Sequence, residues 1–305
     1  MTNRPLHQPT RRRLLRLAAG WLAGSVIASG RAQTISPRVV TLFQGATDSA
    51  VALGVTPVAV VDSWSEKPTY KYLRQALQGV PHVGLETQPS LEHIALLQPD
   101  LIVVSRFRHQ RIAPLLQQIA PLVMLDNVFE FKQTLSVTAA ALHRQAQAEV
   151  CLQQWQQRVA NLRSQLQQRF AGHWPPTVSV LDIREDHIRS YLPGSFPGWV
   201  LSELGFGWNT TAQTTQGVSI KLSGKESLPI VNADIFFVFL RSESAGVQRN
   251  YHSLLQHPLW LQLRAPQQQQ VWLVNGVVWS LSGGILGANL MLDDIERQVI
   301  PGTTA

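Results

Sequence analysis

The chain has 305 residues and a formal net charge of +7, a basic balance that raises the question of a nucleic-acid partner. The excess is local, because residues 1–32 hold six arginines and no acidic residue, which leaves 20 basic and 19 acidic side chains in the rest of the chain. We therefore predict no nucleic-acid partner, and the single cysteine, Cys151, excludes an internal disulfide.

Residues 1–32 predict an export signal peptide. A basic start precedes a mildly apolar run over 14–27, and Gly30 and Ala32 occupy positions −3 and −1 of a cleavage site before Gln33. The segment TRRRLLR, 10–16, also resembles the twin-arginine pattern. The apolar run is too short to span a bilayer, and Cys151 is not at the start of the mature chain, where a lipid-bearing cysteine would stand. We expect a soluble exported protein, with a retained membrane anchor as the alternative.

Residues 36–130 predict an N-terminal α/β lobe, because short apolar runs alternate with helical patterns. Strands are predicted at 39–43, 57–61, 100–105 and 122–126, and helices at 48–53, up to Leu77, from a capping Ser90 to Gln98, and at 111–119. The run DLIVVS, 100–105, is apolar on both faces, as a buried parallel strand requires.

Residues 131–172 predict a helical connector between two lobes. A short helix over 131–142 precedes a segment, 145–171, that contains no glycine and no proline. Its large apolar residues recur at steps of three and four, which predicts one long helix of about 40 Å. They are Leu152, Trp155, Val159, Leu162, Leu166 and Phe170. Such a helix would be a stiff spine; an ordinary surface helix or a coiled-coil arm is the alternative.

Residues 175–305 predict a C-terminal α/β lobe with its own core and the same element order as the first. Strands are predicted at 177–183, 234–240 and 271–275, and helices at 199–204, 226–232, 254–261 and 286–299. Loops are predicted from 184 to Gly198 and again after Gly205, which ends a helix.

An internal match indicates that the lobes are related. The segments 90–106 and 224–241 each carry a glutamate early in a helix, an aspartate eight residues later at the head of an apolar strand, and an arginine just past that strand. Glu92, Asp100 and Arg106 thus correspond to Glu226, Asp234 and Arg241. Two similar lobes around a stiff helix enclose a cleft, and open α/β sheets bind ligands beyond the carboxyl ends of their strands.

Arginines and aromatic residues follow the predicted strand ends. Arginines that face one cleft favour carboxylates, which a guanidinium holds through two parallel hydrogen bonds, and aromatic rings add flat apolar walls. The set suits a bulky polyanionic ligand, although each arginine could instead be a solvated loop residue. The candidates are Trp64, Arg106, Arg108 and His109 in the first lobe and Arg184, Arg189, Tyr191, Arg241 and Trp279 in the second.

Glu92 and Glu226 have two interpretations. An acidic residue in a first helical turn interacts favourably with the helix dipole. As an equivalent pair, one on each lobe, they are also two docking points for a partner with paired basic residues.

Enzyme motifs are missing from the sequence. The run GVSIKLSGKE, 217–226, has the wrong spacing for a phosphate loop, and SLSGG, 280–284, lacks the glycine that a nucleophile elbow needs. The nine histidines include no pair at helical metal-ligand spacing. We predict a protein that is not an enzyme and has no metal site; a two-domain cleft enzyme is the remote alternative.

Several segments resemble the periplasmic substrate-binding proteins of ABC importers for ferric siderophores, close to the ferric-dicitrate-binding type. They are QPSLEHIALLQPDLIVVS, QQIAPLVML, the 145–171 helix, GWVLSELGF and VWSLSGGILGANLMLDDI. The resemblance implies two α/β lobes joined by one long rigid helix, with limited closure on a ligand in the cleft. It implies a monomer in the periplasm that passes an iron chelate to an inner-membrane ABC permease.

The resemblance also assigns roles to individual residues. It implies that Glu92 and Glu226 contact arginines of the permease, and that Arg106 or Arg108, Arg184 and Arg241 contact citrate carboxylates. Iron would arrive already chelated, so no cofactor or protein metal ligand is expected. The dicitrate type tends to carry an arginine near Ser282 or Gly283, and the smaller residues here imply room for a larger siderophore. The family includes cobalamin and haem binders, for which Trp64, Tyr191 and Trp279 would be the main wall; a signalling receptor for the chelate is a further alternative.

Overall fold

The computed structural model describes residues 37–300, so the predicted signal peptide, residues 1–32, lies outside the described residues. The strands are β1 Val39–Thr41, β2 Ala59–Asp62, β3 His82–Leu85, β4 Gln88–Pro89, β5 Leu101–Ser105, β6 Leu122–Leu125, β7 Thr177–Ile183, β8 Ile188–Tyr191, β9 Gly207–Trp208, β10 Ser219–Leu222, β11 Ile235–Leu240 and β12 Val271–Leu273. The helices are α1 Gln44–Ala52, α2 Leu91–Leu96, α3 Arg106–His109, α4 Ala113–Leu116, α5 Phe131–Ala141, α6 Gln145–Arg169, α7 Phe196–Leu204, α8 Thr210–Thr214, α9 Ala245–Leu255, α10 Pro258–Leu261, α11 Arg264–Gln267 and α12 Ile285–Val299. Two 3-10 helices cover Lys71–Leu73 and Lys225–Val231, and a π-helical turn covers Val277–Leu281.

The first lobe is built on one sheet in the order β4-β3-β2-β1-β5-β6, parallel except for β4. Every residue of β5 is buried, as its two apolar faces predict. The hydroxyl of Ser90 accepts a hydrogen bond from the His93 backbone N–H at 3.3 Å and caps α2, as predicted. The segment 82–89, for which no strand is predicted, forms β3 and β4. Its strands are too short and too polar to show a period of two.

The second sheet has the order β10-β8-β7-β11-β12, with β9 paired to β7. The predicted order of elements along the second lobe, which matched that of the first, is wrong at this point, because β7 and β8 form an antiparallel hairpin where a loop was expected. Strand β8 has only four residues, so its alternation of buried and half-buried side chains is a weak signal in the sequence. Helix α9, which the side chain of Ser244 caps, was also missed.

Helix α6 is the predicted long helix of the connector. Its side chains Trp155, Val159, Leu162 and Leu166 form a buried stripe, whereas most of its other residues are exposed, so the helix packs along one face and is not a protruding coiled-coil arm. One hydrophobic cluster runs from β1 and β5 of the first sheet, through this helix, to β7 and β11 of the second. Each lobe also has a cluster of its own, around Ile102 in the first and around Phe236 in the second, as expected. The shared cluster joins them, and the described residues belong to one compact unit.

The internal match has a common geometry in the two lobes. Asp100 and Asp234 each directly precede the strand that pairs in parallel with the first strand of their lobe. A side-chain oxygen of Asp100 accepts from the Arg38 backbone N–H at 2.8 Å, and one of Asp234 accepts from that of Thr177, also at 2.8 Å. The two aspartates thus hold equivalent strand pairs at the same point.

Asp48 joins the first lobe to the last helix of the described chain. It lies on α1 with no exposed surface, and its Oδ1 accepts from the Leu286 backbone N–H at 2.9 Å. Its Oδ2 accepts from the Gly287 backbone N–H at 3.0 Å and from the Tyr72 hydroxyl at 2.9 Å. Burial raises the pKa of Asp48 to about 6, although the three hydrogen bonds act in the opposite direction. The carboxylate therefore satisfies free N–H groups in the first turn of α12 at an electrostatic cost.

We expect Asp48 to make stability depend on pH between about 4 and 7. Because its pKa is higher in the folded chain than its ordinary value of 3.8, the folded state holds the proton more tightly, and the stabilisation is lost as pH rises through about 6. The difference corresponds to about 3 kcal/mol. Urea unfolding of the wild-type chain and Asp48→Asn should give a stability difference, wild type minus variant, that falls by up to this amount from pH 4 to pH 7. Parallel pH profiles would contradict the assignment.

Candidate ligand-binding cleft

A cleft of about 1020 Å³ lies where the parallel strands of the two sheets end. Its first-lobe wall includes Trp64 and Glu66, in the segment that follows β2. Its second-lobe wall includes Arg241 after β11, and Leu273 and Asn275 at the end of β12. Two of the predicted ligand-binding residues, Trp64 and Arg241, thus line one cavity from opposite lobes.

A salt-bridged cluster forms the first-lobe side of the cleft. The indole Nε1 of Trp64 donates to Glu86 Oε2 at 3.0 Å, and the guanidinium of Arg108 pairs with Glu86 Oε1. The guanidinium carbon of Arg108 lies 4.7 Å from the centroid of the Trp64 ring, so the cation and the ring also interact directly. Burial raises the pKa of Glu86, and the attraction of Arg108 partly offsets that shift.

The buried His109 holds the backbone at Glu86 in place. Its Nδ1 accepts from the Ser105 backbone N–H at 3.1 Å, which leaves the proton on Nε2. That Nε2 donates to the Glu86 carbonyl oxygen at 2.8 Å. Burial lowers the pKa of His109, in agreement with a neutral ring. His109 has no exposed surface and supports the cleft from within the lobe.

Asp182 organises the second-lobe side of the cleft. This aspartate has no exposed surface, and Arg184 and Arg241 both pair with it. Arg241 also donates to the Tyr191 hydroxyl at 3.1 Å, and that hydroxyl lies 2.9 Å from the hydroxyl of Ser280. Burial opposes the charge of Arg241, but its hydrogen bond to Asp182 and the attraction of that carboxylate outweigh burial and raise its pKa.

The second-lobe cluster carries more positive than negative charge. Arg189 on β8 is the residue directly opposite Asp182 on β7, so their side chains share one face of the sheet. Its Nη1 lies 3.2 Å from the Ser219 hydroxyl. Three arginines therefore lie around one aspartate at the end of β7. The side chains of Arg184 and Arg241 remain 30% and 25% exposed. Arg241 lines the cleft, whereas Arg184 and Arg189 are not among its lining residues.

The structure corrects two expectations about the cleft wall. Trp279 has no exposed surface: its ring packs 4.5 Å from that of Phe237, and its Nε1 donates to Asp294 at 3.0 Å. It is a core residue because the π-helical turn directs it inward. Ser282 is likewise buried, and Gly283 packs against Gly45 of α1. The small residues at 282 and 283 therefore serve contact between helices and provide no extra room for a ligand.

Arg106 and Arg108 differ in their surroundings. Arg106 pairs with Asp126 and is 50% exposed, and it is not among the residues that line the cleft. Arg108 is 29% exposed and stacks on Trp64, which does line it. Of the two arginines offered as alternatives at the sequence level, Arg108 is the one connected to the cleft.

Sequence reasoning missed the acidic partners and an aromatic neighbour of these arginines. Asp182 is the penultimate residue of the apolar strand TVSVLDI, where a charge at a buried position could have signalled a role. Glu86 follows β3, which was not predicted as a strand. Phe107 is 82% exposed beside Arg108, whose guanidinium carbon lies 5.5 Å from its ring centroid.

Glu92 and Glu226 are exposed in the first turns of α2 and of the 3-10 helix at Lys225–Val231. Neither carboxylate makes a side-chain hydrogen bond or ion pair with another residue in the range 37–300. Among the same residues, no group of three or more acidic, histidine or cysteine side chains could hold a metal ion, and no helix is long and apolar enough to cross a membrane.

Residues 39–276 match the family model described as periplasmic binding protein, so the chain belongs to that family of binding proteins. The family confirms the predicted two-lobed fold and the prediction that the chain is not an enzyme. The achromobactin-binding periplasmic protein of Dickeya dadantii (strain 3937) is 69% identical over 290 residues, which cover 94% of this chain and 95% of that protein.

Two further relatives have a ligand in their printed name or title. The Fe(3+) dicitrate-binding periplasmic protein FecB of Escherichia coli (strain K12) is 31% identical, over 85% of this chain and 84% of its own. The crystal structure of Staphylococcus aureus SirA complexed with staphyloferrin B has a TM-score of 0.83 and 36% identity, and the match covers 87% of this chain and 93% of that one. The sequence-level resemblance to siderophore-binding proteins is thereby confirmed.

Replacing Asp182 by alanine should destabilise the protein by about 3 kcal/mol. The change leaves two guanidinium groups without their buried partner. Because both are partly exposed, the loss of stability should be at the lower end of the range for breaking a buried ion pair. Urea unfolding measures the effect, and Asp186→Ala is the control, since that carboxylate is exposed in the turn of the same hairpin. Equal stability of the two variants would mean that Asp182 does not organise the arginines.

Proposed function

We propose that the protein captures an anionic ferric siderophore or ferric citrate-like chelate and delivers it to an ABC permease for iron uptake. The observation that carries the proposal is the arginine cluster around Asp182. A single buried carboxylate holds Arg184 and Arg241 in fixed positions, and Arg189 faces it from the next strand. A guanidinium that is already oriented loses little conformational freedom when it binds a carboxylate.

The two sides of the cleft have complementary tasks in this proposal. The second-lobe arginines would bind carboxylates of the chelate, and Trp64 with Arg108 would cover its flat organic part from the first lobe. Iron would arrive already chelated, so the protein would supply no metal ligand and no cofactor. The names of the relatives support this class of ligand, and achromobactin and staphyloferrin B are the first candidates.

Haem or cobalamin is a weaker alternative on the same fold. That alternative relied on three aromatic residues as the main wall of the cleft. Trp279 is in the core, and the Tyr191 hydroxyl bonds Arg241 and Ser280, which leaves Trp64 as the tryptophan of the wall. A cleft flanked by arginines that a buried carboxylate orients suits an anionic chelate better.

The cellular setting follows from the same proposal. Residues 1–32 would direct export and be removed, and the mature chain would act as a monomer in the periplasm. Glu92 and Glu226 would then contact the inner-membrane permease. Signal cleavage, the monomeric state and the contact with a permease are all parts of the proposal.

Tryptophan-fluorescence titration of the purified mature chain tests the function directly. The ligands are ferric achromobactin, ferric citrate, a ferric hydroxamate, a ferric catecholate, haem and cobalamin. Because Trp64 lines the cleft and is 44% exposed, we expect saturable quenching by one carboxylate-bearing ferric chelate, and none by the iron-free chelator. A response to haem or cobalamin alone would keep the fold and overturn the proposed ligand.

The same titration on Arg184→Ala/Arg241→Ala should give a dissociation constant more than tenfold higher, since each charge-assisted contact contributes about 1.5–3 kcal/mol. Arg163→Ala/Arg169→Ala is the matched control, because it removes two charges from α6 at positions outside the cleft. Unchanged affinity in the first variant would remove these arginines from the site.

Replacing Glu92 and Glu226 together by alanine should abolish iron import and leave chelate affinity intact. Both carboxylates are exposed and neither lines the cleft, so the change removes only the proposed ion pairs with the permease. Uptake of radioactive iron by cells that carry the variant gives the first quantity, and the titration gives the second. Loss of affinity would contradict a docking role.

A further inference from the structure

Each of the two candidate docking glutamates is followed by the same pattern of burial. After Glu92, the residue at +2 is the buried Ile94, and those at +3 and +4, Ala95 and Leu96, are exposed. Leu96, the last residue of α2, is a large apolar side chain that is 75% exposed.

The second lobe repeats the pattern at equivalent positions. After Glu226, the residue at +2 is the buried Leu228, and those at +3 and +4, Pro229 and Ile230, are exposed. Ile230 is 36% exposed. We call residues 92, 95 and 96 the first acid–apolar unit, and residues 226, 229 and 230 the second.

The repeat does not follow from helix geometry. The first unit lies on an α-helix, and the second lies on a 3-10 helix with Pro229 inside it, so the two backbones turn at different rates. Single exposed leucines are common on protein surfaces and need no explanation. Here an exposed apolar pair stands beside an unpaired carboxylate at the same distance from equivalent aspartates, Asp100 and Asp234, in both lobes.

We propose that the two acid–apolar units dock the permease, and that Leu96 and Ile230 enter apolar recesses beside its basic residues. This inference rests on the proposed function. Two equivalent units fit a partner that presents the same site twice, as a two-fold related pair of subunits does. A side chain buried next to each ion pair excludes water from it, and the lower local dielectric strengthens the attraction. The glutamates would then supply charge recognition and the apolar residues the desolvated surroundings.

The test is radioactive iron uptake by cells in which Leu96→Ser/Ile230→Ser replaces the wild-type protein, with ferric achromobactin as the probe. We expect import to fall at least tenfold, because two apolar contacts are lost. The titration should give an unchanged dissociation constant. Urea unfolding checks that the variant remains folded at the assay temperature, since Ile230 is partly buried and its replacement costs some packing. Leu115→Ser/Leu261→Ser is the matched control, since these leucines are 49% and 56% exposed, one in each lobe. Leu96→Ile/Ile230→Leu, which keeps the apolar contact, should restore import.

Import at the level of the control variant would overturn the inference, as would a loss of chelate affinity in Leu96→Ser/Ile230→Ser. The proposed function fails in a different way. In that case the wild-type chain binds no ferric chelate in the titration, and Glu92→Ala/Glu226→Ala has no effect on uptake. A third outcome would reject only the apolar contact. In it, the wild-type chain binds the chelate and supports import, Glu92→Ala/Glu226→Ala loses import, and Leu96→Ser/Ile230→Ser imports normally.

Discussion

The arrangement of the first lobe against α12 depends on the hydrogen bonds that the Asp48 carboxylate accepts. It lies on the first helix of the first lobe, yet it accepts hydrogen bonds from the first turn of α12, more than two hundred residues later in the chain. Gly284 makes this approach feasible, because a Cβ there would lie 2.2 Å from the Asp48 carboxyl carbon. Together with the buried face of α6, this contact ties the two ends of the described fold to each other. The strand ends that form the cleft are positioned as a result.

The salt-bridged clusters that flank the cleft differ in their charge balance. In the first lobe, Glu86 meets one arginine, which is also stacked on a tryptophan. In the second lobe, Asp182 meets two arginines and lies opposite a third. A balanced pair has little attraction left for an anion, whereas an excess of oriented guanidinium groups attracts one strongly. The second lobe is thus suited to hold the charge of a ligand, and the first lobe to contact its organic surface.

Much of this arrangement could be predicted from the sequence where a long or repeated signal exists. The stripe from Trp155 to Leu166 identified the spine, and the match between 90–106 and 224–241 located equivalent aspartates that make the same backbone contact. Strand β8, the hairpin partner of β7, could not be predicted in the same way, because four residues are too few to show an alternating pattern. Trp279 illustrates another limit. A large aromatic residue after a strand suits both a cleft wall and a core, and its partner Asp294 is brought near only by the fold.

Because one hydrophobic cluster passes from the first sheet through α6 to the second, the lobes are not separable building blocks. Recombination that joined the first lobe of one relative to the second lobe of another would have to preserve side-chain packing on both sides of the spine at once. The partly exposed side chains that face the cleft, such as Trp64 and Arg241, are freer of that requirement. In such an architecture new ligand specificity is acquired most readily by point substitutions at the strand ends, while the shared interior changes slowly.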